Sequence, residues 1–160
     1  MPKKTILKKD YKIINKKLSD TAEKDGISRK IVRLAMVRGD SLLMLKRAKT
    51  DHFPGLYELP GGKLDENEDI FSGGRRELFE ETNLSIKEFL SKPEIFDFNA
   101  VSDKKRCRGY VFNILPENKD IILNPAEHTE YKWVTLSEID NLDMLSNTKA
   151  LAKKILKENL

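Results

Sequence analysis

Residues 62–84 of the chain read GKLDENEDIFSGGRRELFEETNL. Their spacing predicts a helix from Asp69 onward, because Asp69 suits an N-cap, where its carboxylate accepts the free N–H groups of the first turn. Asn83 suits a left-handed exit at the other end of the helix. The predicted helix therefore has about three to four turns.

Three carboxylates share one face of that predicted helix. Glu77 precedes Glu80 by three residues and Glu81 by four, and like charges at these spacings cost a few tenths of a kcal/mol per pair. Two consecutive glycines near the start add about 1 kcal/mol each relative to alanine. So many destabilising features in one helix are more expected at a functional site than in a neutral surface helix. Mg²⁺ prefers carboxylate oxygens, and its binding would offset the repulsion between them. The alternative is a solvated acidic face paired with Arg75 and Arg76.

The same stretch resembles the Nudix box of the Nudix hydrolase superfamily, Gly-x5-Glu-x7-Arg-Glu-U-x-Glu-Glu-x-Gly-U, where U is a bulky aliphatic residue. Asn83 departs from this pattern, and Asn is among the few non-glycine residues that adopt left-handed backbone routinely. The resemblance implies an α/β fold, the Nudix α/β/α sandwich with a mixed central sheet, in a hydrolase domain at residues 28–160 behind an N-terminal arm at 1–27. The box positions that match are Gly62, Glu68, Arg76, Glu77, Leu78, Glu80, Glu81 and Leu84.

The resemblance also implies a divalent-metal site. Glu77, Glu80 and Glu81 would hold Mg²⁺ or Mn²⁺, and a backbone carbonyl of the preceding Pro-Gly-Gly would reach the metal, with Gly61 as the candidate. The two glycines of that turn could instead serve only the turn itself. Among the other catalytic candidates, Glu68 is better placed to fix Arg76 than to bind metal, so breaking this pair should lower activity indirectly.

Three residues outside the box are further candidates, each with a structural alternative. Arg47 looks like the nucleotide-contacting arginine of the MutT-like branch, and a guanidinium suits phosphate, but it could be a solvated strand-end residue. Glu127 precedes a run that resembles a late Nudix strand and could bind metal or accept a proton from water. A solvated loop carboxylate is its alternative. Asn147 looks like the residue that hydrogen-bonds the base in MutT-like proteins, and an N-cap role is favoured over that one.

The predicted reaction follows from the charge of polyphosphates, which repel a nucleophile unless cations neutralise them and activate water. We expect attack on a nucleoside diphosphate-linked substrate, above all a nucleoside triphosphate, including oxidised purine forms, to give nucleoside monophosphate and pyrophosphate. The alternative is a non-catalytic Nudix-fold module that binds a nucleotide or regulates. Nucleic acid is a less expected partner, because Tyr11 is the only aromatic residue among the N-terminal lysines.

Composition sets outer limits on the protein. The 160 residues suffice for one sizeable core, and 30 Lys and Arg against 26 Asp and Glu give a net charge of +4, which favours anionic partners. Cys107 is the only cysteine, so no intrachain disulfide can form. No apolar run approaches the roughly 20 residues that span a bilayer. We expect a cytoplasmic monomer or homodimer with no membrane partner, and assign no role to His52.

The remaining pattern predicts an irregular or short extended arm over residues 1–28, with a hairpin signature in the run that follows. The predicted order of hairpin, loop, acidic helix, strands and terminal helix suits a mixed sheet between helices. The predicted elements after the arm are strands at 30–37 and 42–45, a long loop at 46–62, strands at 95–101, 107–115, 121–123 and 127–134, a helical turn at 137–142 and a terminal helix at 148–158.

Overall fold

A computed structural model describes residues 4–49 and 53–159 of the chain. Over these residues the helices are α1 (Tyr11–Lys24), α2 (Ile70–Thr82) and α3 (Ser146–Glu158), with 3₁₀ segments at Lys8–Asp10 and Leu136–Asn141. The strands are β1 (Arg29–Ala35), β2 (Val37–Arg38), β3 (Ser41–Arg47), β4 (Tyr57–Glu58), β5 (Gly61–Lys63), β6 (Ile86–Phe89), β7 (Glu94–Asn99), β8 (Arg106–Pro116) and β9 (His128–Thr135). None of the described helices is long and apolar enough to cross a bilayer.

The strands form two sheets. In the larger sheet β1 lies between β5 and β8, and β6 and β7 both pair with the far side of β8. β1 and β8 run parallel, with Val32 opposite Tyr110, whereas the other pairs in this sheet are antiparallel. In the smaller sheet β3 pairs antiparallel with β2, β4 and β9. The predicted mixed sheet is confirmed.

Helices cover the sheets from both sides. One core contains Phe71 of α2 between the strand residues Phe89 and Phe112, with Tyr11 of α1 stacked on Phe71 at a ring-centroid distance of 4.3 Å. A second core packs Ile155 and other α3 residues against β3, β8 and β9. Burying each large apolar side chain contributes about 1.5 to 3 kcal/mol, so both layers stabilise the sheets between them.

The acidic helix α2 begins and ends as predicted. Asp69 accepts hydrogen bonds from the backbone N–H groups of Phe71 and Ser72 at 2.8 and 3.0 Å, and Asn83 has the left-handed φ of 64°. The glycines that weaken this helix have a packing role. A Cβ atom at Gly73 would lie 2.2 Å from the side chain of Leu64, so glycine lets α2 lie close to the chain that precedes it.

The prediction of an irregular arm at residues 1–28 is wrong. Half of that segment is α1, whose residues Tyr11, Ile14 and Leu18 pack against the core at helical spacing. The many lysines concealed this period, because they occupy the exposed face of the same helix. Asn15 on the buried side accepts a hydrogen bond from the backbone N–H of Ile70 at 3.0 Å, which ties α1 to the start of α2.

Other boundaries also differ from the sequence prediction. The hairpin turn is present, but it joins β2 to β3, while β1 belongs to the other sheet. The predicted loop at 46–62 contains β4 and the start of β5, and His52 lies outside the described residues. The predicted strand at 121–123 is wrong, since this segment belongs to none of the described sheets. β6 was not predicted, whereas β7, β8, β9, the helical turn and α3 are confirmed with small shifts.

Candidate active site

A cleft of about 310 Å³ opens where α2 meets the edge of the larger sheet and the end of β3. Of the three helix carboxylates, Glu81 is 3% exposed and Glu77 is half-buried, and both line the cleft. Glu80 is exposed and pairs with Arg76 outside the cleft. The lining residues are Arg33, Arg47, Glu58, Gly61, Gly62, Lys63, Glu77, Glu81, Glu127 and His128.

The Pro-Gly-Gly segment forms the floor of the cleft. The backbone N–H of Gly61 donates to Glu81 Oε1 at 2.6 Å. Gly61 has a φ of +139°, and a Cβ there would lie 2.0 Å from the carbonyl oxygen of Val32. A Cβ at Gly62 would lie 2.7 Å from Glu77 Oε2. Gly62 therefore lets the Glu77 carboxylate lie against the backbone of β5, and Gly61 lets β5 lie close to β1, which is more than a turn requires.

In the lining of the cleft, His128 lies between two buried carboxylates. Its Nε2 lies 2.8 Å from Glu58 Oε2, and its Nδ1 lies 3.2 Å from Glu81 Oε2. Glu58 Oε1 in turn accepts a hydrogen bond from Arg47 at 2.8 Å and lies 3.5 Å from a guanidinium nitrogen of Arg33. A continuous chain of polar contacts thus links Arg47 to the helix carboxylate Glu81.

The carboxylates of the cleft differ in pKa. Burial raises the pKa of Glu81 to about 9, and the negative charges of Glu58 and Glu77 add to the increase. The hydrogen bond from the Gly61 N–H acts in the opposite direction and lowers this pKa. Burial also raises the pKa of Glu77. Burial opposes ionisation of Glu58 as well, but the hydrogen bond from His128 and the nearby arginine charges outweigh it, so its pKa is lowered.

Arg76 forms the predicted pair with Glu68. Its Nε and Nη2 donate to the two carboxylate oxygens of Glu68 at 2.7 and 2.8 Å, and this pairing lowers the pKa of Glu68. The remaining nitrogen, Nη1, lies 3.1 Å from Glu80 Oε2 and 3.2 Å from Glu77 Oε1. One guanidinium therefore connects the loop before α2 to two carboxylates on the helix.

Of the three candidates outside the box, Arg47 and Glu127 line the cleft and Asn147 does not. Arg47 ends β3 and lines the cleft, and the exposed Glu127 lies at its rim. Asn147 is exposed, does not line the cleft, and accepts a hydrogen bond from the N–H of the neighbouring Thr148 at 2.8 Å. The N-cap of α3 is Leu145, so the capping role predicted for Asn147 is wrong, because the helix begins two residues earlier than that role requires.

The sequence analysis missed Glu58, His128 and Arg33. Residue 58 fell inside a predicted loop, and a two-residue strand such as β4 is too short to show a period. His128 directly follows the predicted site residue Glu127. The signal that could have identified His128 was its place in a strand next to this candidate carboxylate. Glu58 and His128 meet because β3 pairs with both β4 and β9.

The chemistry of this donor set fits a divalent cation. Glu77 and Glu81 offer carboxylate oxygens, the ligands that Mg²⁺ and Mn²⁺ prefer. Buried carboxylates with little compensating positive charge are costly in isolation, and a bound cation removes that cost. Burial is the largest cause of the raised pKa of both groups, and a bound cation would favour their ionised forms.

Comparison with known proteins places these features in a family. A family model described as the NUDIX domain matches residues 28–157. The chain is 29% identical over 116 residues to a Mycobacterium tuberculosis protein named 8-oxo-dGTP diphosphatase 2, covering 71% of this chain and 77% of that protein. It is 28% identical over 127 residues to a protein from Caulobacter vibrioides named RNA pyrophosphohydrolase, covering 69% of this chain and 74% of that one.

A solved structure agrees with the fold. The MutT protein of Methanosarcina mazei matches with a TM-score of 0.65 at 24% identity, over 82% of this chain and 94% of that chain. The sandwich architecture predicted from the box is confirmed by this likeness. Since the matched family region includes α2 and every residue that lines the cleft, the chain belongs to the Nudix hydrolase superfamily, with a MutT-like fold.

Proposed function

We propose that this protein hydrolyses a nucleoside diphosphate-linked substrate, above all a nucleoside triphosphate, including oxidised purine forms, to nucleoside monophosphate and pyrophosphate. The observation that carries the proposal is the cleft that Glu77 and Glu81 line together with Arg47, Gly61 and Gly62. Relatives named 8-oxo-dGTP diphosphatase and RNA pyrophosphohydrolase support phosphoanhydride hydrolysis. Their different names leave the nucleotide to be settled by assay.

The carboxylates of α2 would hold Mg²⁺ or Mn²⁺. Glu81 and Glu77 lie in the cleft and Glu80 at its outer side, and the carbonyl of Gly61 is the backbone candidate. When bound, such a cation neutralises phosphate charge and lowers the pKa of the attacking water. Arg76 holds this side of α2 to Glu68 and so positions the ligands without touching the substrate.

Arg47 is proposed to contact the phosphate chain, with its guanidinium oriented by Glu58. Glu127, exposed at the rim of the cleft, is the proposed acceptor of a proton from the attacking water. Asn147 is the proposed contact to the base. These assignments divide the residues into those that act on the phosphates and one that acts on the nucleoside.

The test is a panel of substrates assayed with Mg²⁺ and with Mn²⁺. The panel contains nucleoside di- and triphosphates, 8-oxo-dGTP, ADP-ribose, dinucleoside polyphosphates and an RNA oligonucleotide with a 5′-triphosphate. We expect release of pyrophosphate from a nucleoside triphosphate, and loss of this release in Glu81→Gln and Glu77→Gln. Glu23→Gln, which changes an exposed glutamate of α1, is the control that should keep full activity.

The alternative is a module that binds a nucleotide without hydrolysing it. The intact acidic cleft favours turnover over this alternative, because a binding site for an anion gains nothing from buried carboxylates in the absence of cations. A nucleotide that raises the Tm of the protein while phosphate release stays at background with both metals would establish the binding role. Unchanged hydrolysis in both Gln variants would refute the metal-ligand assignment.

A further inference from the structure

His128 presents an unusual buried atom. Its side chain is 2% exposed, and within the described part of the chain its Nδ1 has no hydrogen-bond partner. Glu81 Oε2 lies 3.2 Å from this nitrogen. A buried polar atom without a partner is destabilising, so its direction toward the cleft carboxylate calls for an explanation.

The neighbours of His128 determine which nitrogen carries the hydrogen. Glu58 makes ion pairs with Arg47 and Arg33, which keep it an ionised acceptor. The contact of 2.8 Å between Glu58 Oε2 and His128 Nε2 therefore requires Nε2 to donate. In the neutral imidazole, Nδ1 then carries a lone pair, and this lone pair faces an oxygen of Glu81.

Nδ1 and an oxygen of ionised Glu81 are both acceptors, and two acceptors that face each other at this distance need a cation or a proton between them. The other oxygen of Glu81 already accepts the backbone N–H of Gly61, so Oε2 is the oxygen left for a ligand. Two atoms that each lie about 2.1 Å from one octahedral ion, at right angles, are about 3 Å apart. The observed separation of 3.2 Å between Nδ1 and Oε2 matches this spacing.

We propose that Nδ1 of His128 is a ligand of the divalent metal in the same site as Glu81. The inference rests on the proposed function, because it takes the metal site to be the one used there. Glu58 is then a positioning residue, since a metal-binding histidine ordinarily donates its other ring N–H to a carboxylate, which fixes the ring and the tautomer. One ligand atom from each of the buried residues Glu58, Glu81 and His128 lies within 4.8 Å of the other two.

A nitrogen ligand changes which metal the site prefers. Mg²⁺ takes oxygen ligands, whereas imidazole suits transition metals, and affinity at mixed nitrogen and oxygen sites rises from Mn²⁺ to Co²⁺. Loss of a metal-orienting contact alone typically weakens metal binding about 10- to 100-fold. We therefore expect His128→Gln to weaken Mn²⁺ and Co²⁺ binding by at least about tenfold and to change Mg²⁺ binding less.

The test is electron spin echo envelope modulation of the protein loaded with one equivalent of Mn²⁺. The spectrum should show coupling to a directly bound ¹⁴N in the wild type. The chain has only two histidines, so His52→Gln should retain the coupling and His128→Gln should lose it. Selective ¹⁵N labelling of histidine in His52→Gln should replace the ¹⁴N pattern by that of ¹⁵N, which identifies His128 even if His128→Gln does not fold.

Absence of nitrogen coupling in wild-type protein with Mn²⁺ bound would overturn the proposal and would show that a proton, not the metal, lies between the two acceptors. Coupling that persists in folded His128→Gln would also overturn it. Either result leaves the hydrolase proposal standing if the wild type releases pyrophosphate. Conversely, nitrogen coupling without hydrolysis of any substrate in the panel would support the ligand and reject the reaction.

Discussion

Replacing Glu81 by Gln should make the metal-free protein more stable at neutral pH while removing its proposed activity. The Gln side chain has nearly the same shape as Glu. Its amide oxygen can still accept the N–H of Gly61, and its amide NH₂ can donate to the unpartnered Nδ1 of His128. The substitution therefore keeps the packing, satisfies a buried nitrogen and removes the proton uptake that folding of the wild type requires above about pH 4.5.

The size of the effect follows from the pKa of Glu81, which is about 9 in the folded protein against an ordinary value of 4.5. Because the folded pKa is raised, the stability that this group contributes is fully present below about pH 4.5 and is lost as the pH rises toward 9. At about 1.36 kcal/mol per unit, the loss by pH 7 is about 3 kcal/mol. For a chain of this size that corresponds to about 6 to 12 °C in Tm.

The assay is urea unfolding of the wild type and Glu81→Gln in EDTA at several values of pH from 4.5 to 8.5. The variant's advantage should be near zero at pH 4.5 and grow by about 1.4 kcal/mol per pH unit. Glu80→Gln, at the neighbouring exposed position, is the matched control and should change stability by no more than about 0.5 kcal/mol. A variant that is less stable than the wild type at pH 7, or an advantage that does not depend on pH, would refute the reasoning.

Other contacts lead to smaller, separable effects. Glu68→Gln removes one charge from a partly exposed pair with Arg76, so the free energy of unfolding should fall by about 1 kcal/mol or less. The kcat should also fall, and an unchanged kcat would contradict the positioning role. Asn15→Ala removes the acceptor for the N–H of Ile70 and should cost about 1 kcal/mol, with faster hydrogen exchange at that amide as the specific readout. Asn147→Ala should leave the Tm almost unchanged, since Asn147 is not the helix cap, and a changed ratio of KM values between purine and pyrimidine triphosphates would reveal a contact with the base.

Local interactions explain what the sequence could predict. The caps of α2 and the pair between Arg76 and Glu68 join residues no more than eight positions apart, so spacing alone was enough to find them. Glu58 and His128 are 70 positions apart and meet only through the pairing of β3 with its two neighbours. No local pattern records such a contact. The sequence thus located the helix carboxylates but not the histidine that stands between one of them and Glu58.

The helix α1 was also not predicted from the sequence. It lies before the matched family region at 28–157 and still supports the site. Asn15 satisfies a free N–H at the first turn of α2, and Tyr11 stacks on Phe71 in that same turn. At the far end of α2, Glu81 is tied to the backbone of Gly61. A helix fixed at both ends cannot slide along its axis without breaking one of these contacts. The position of the buried carboxylates therefore depends on residues that precede the family domain as well as on the acidic stretch itself.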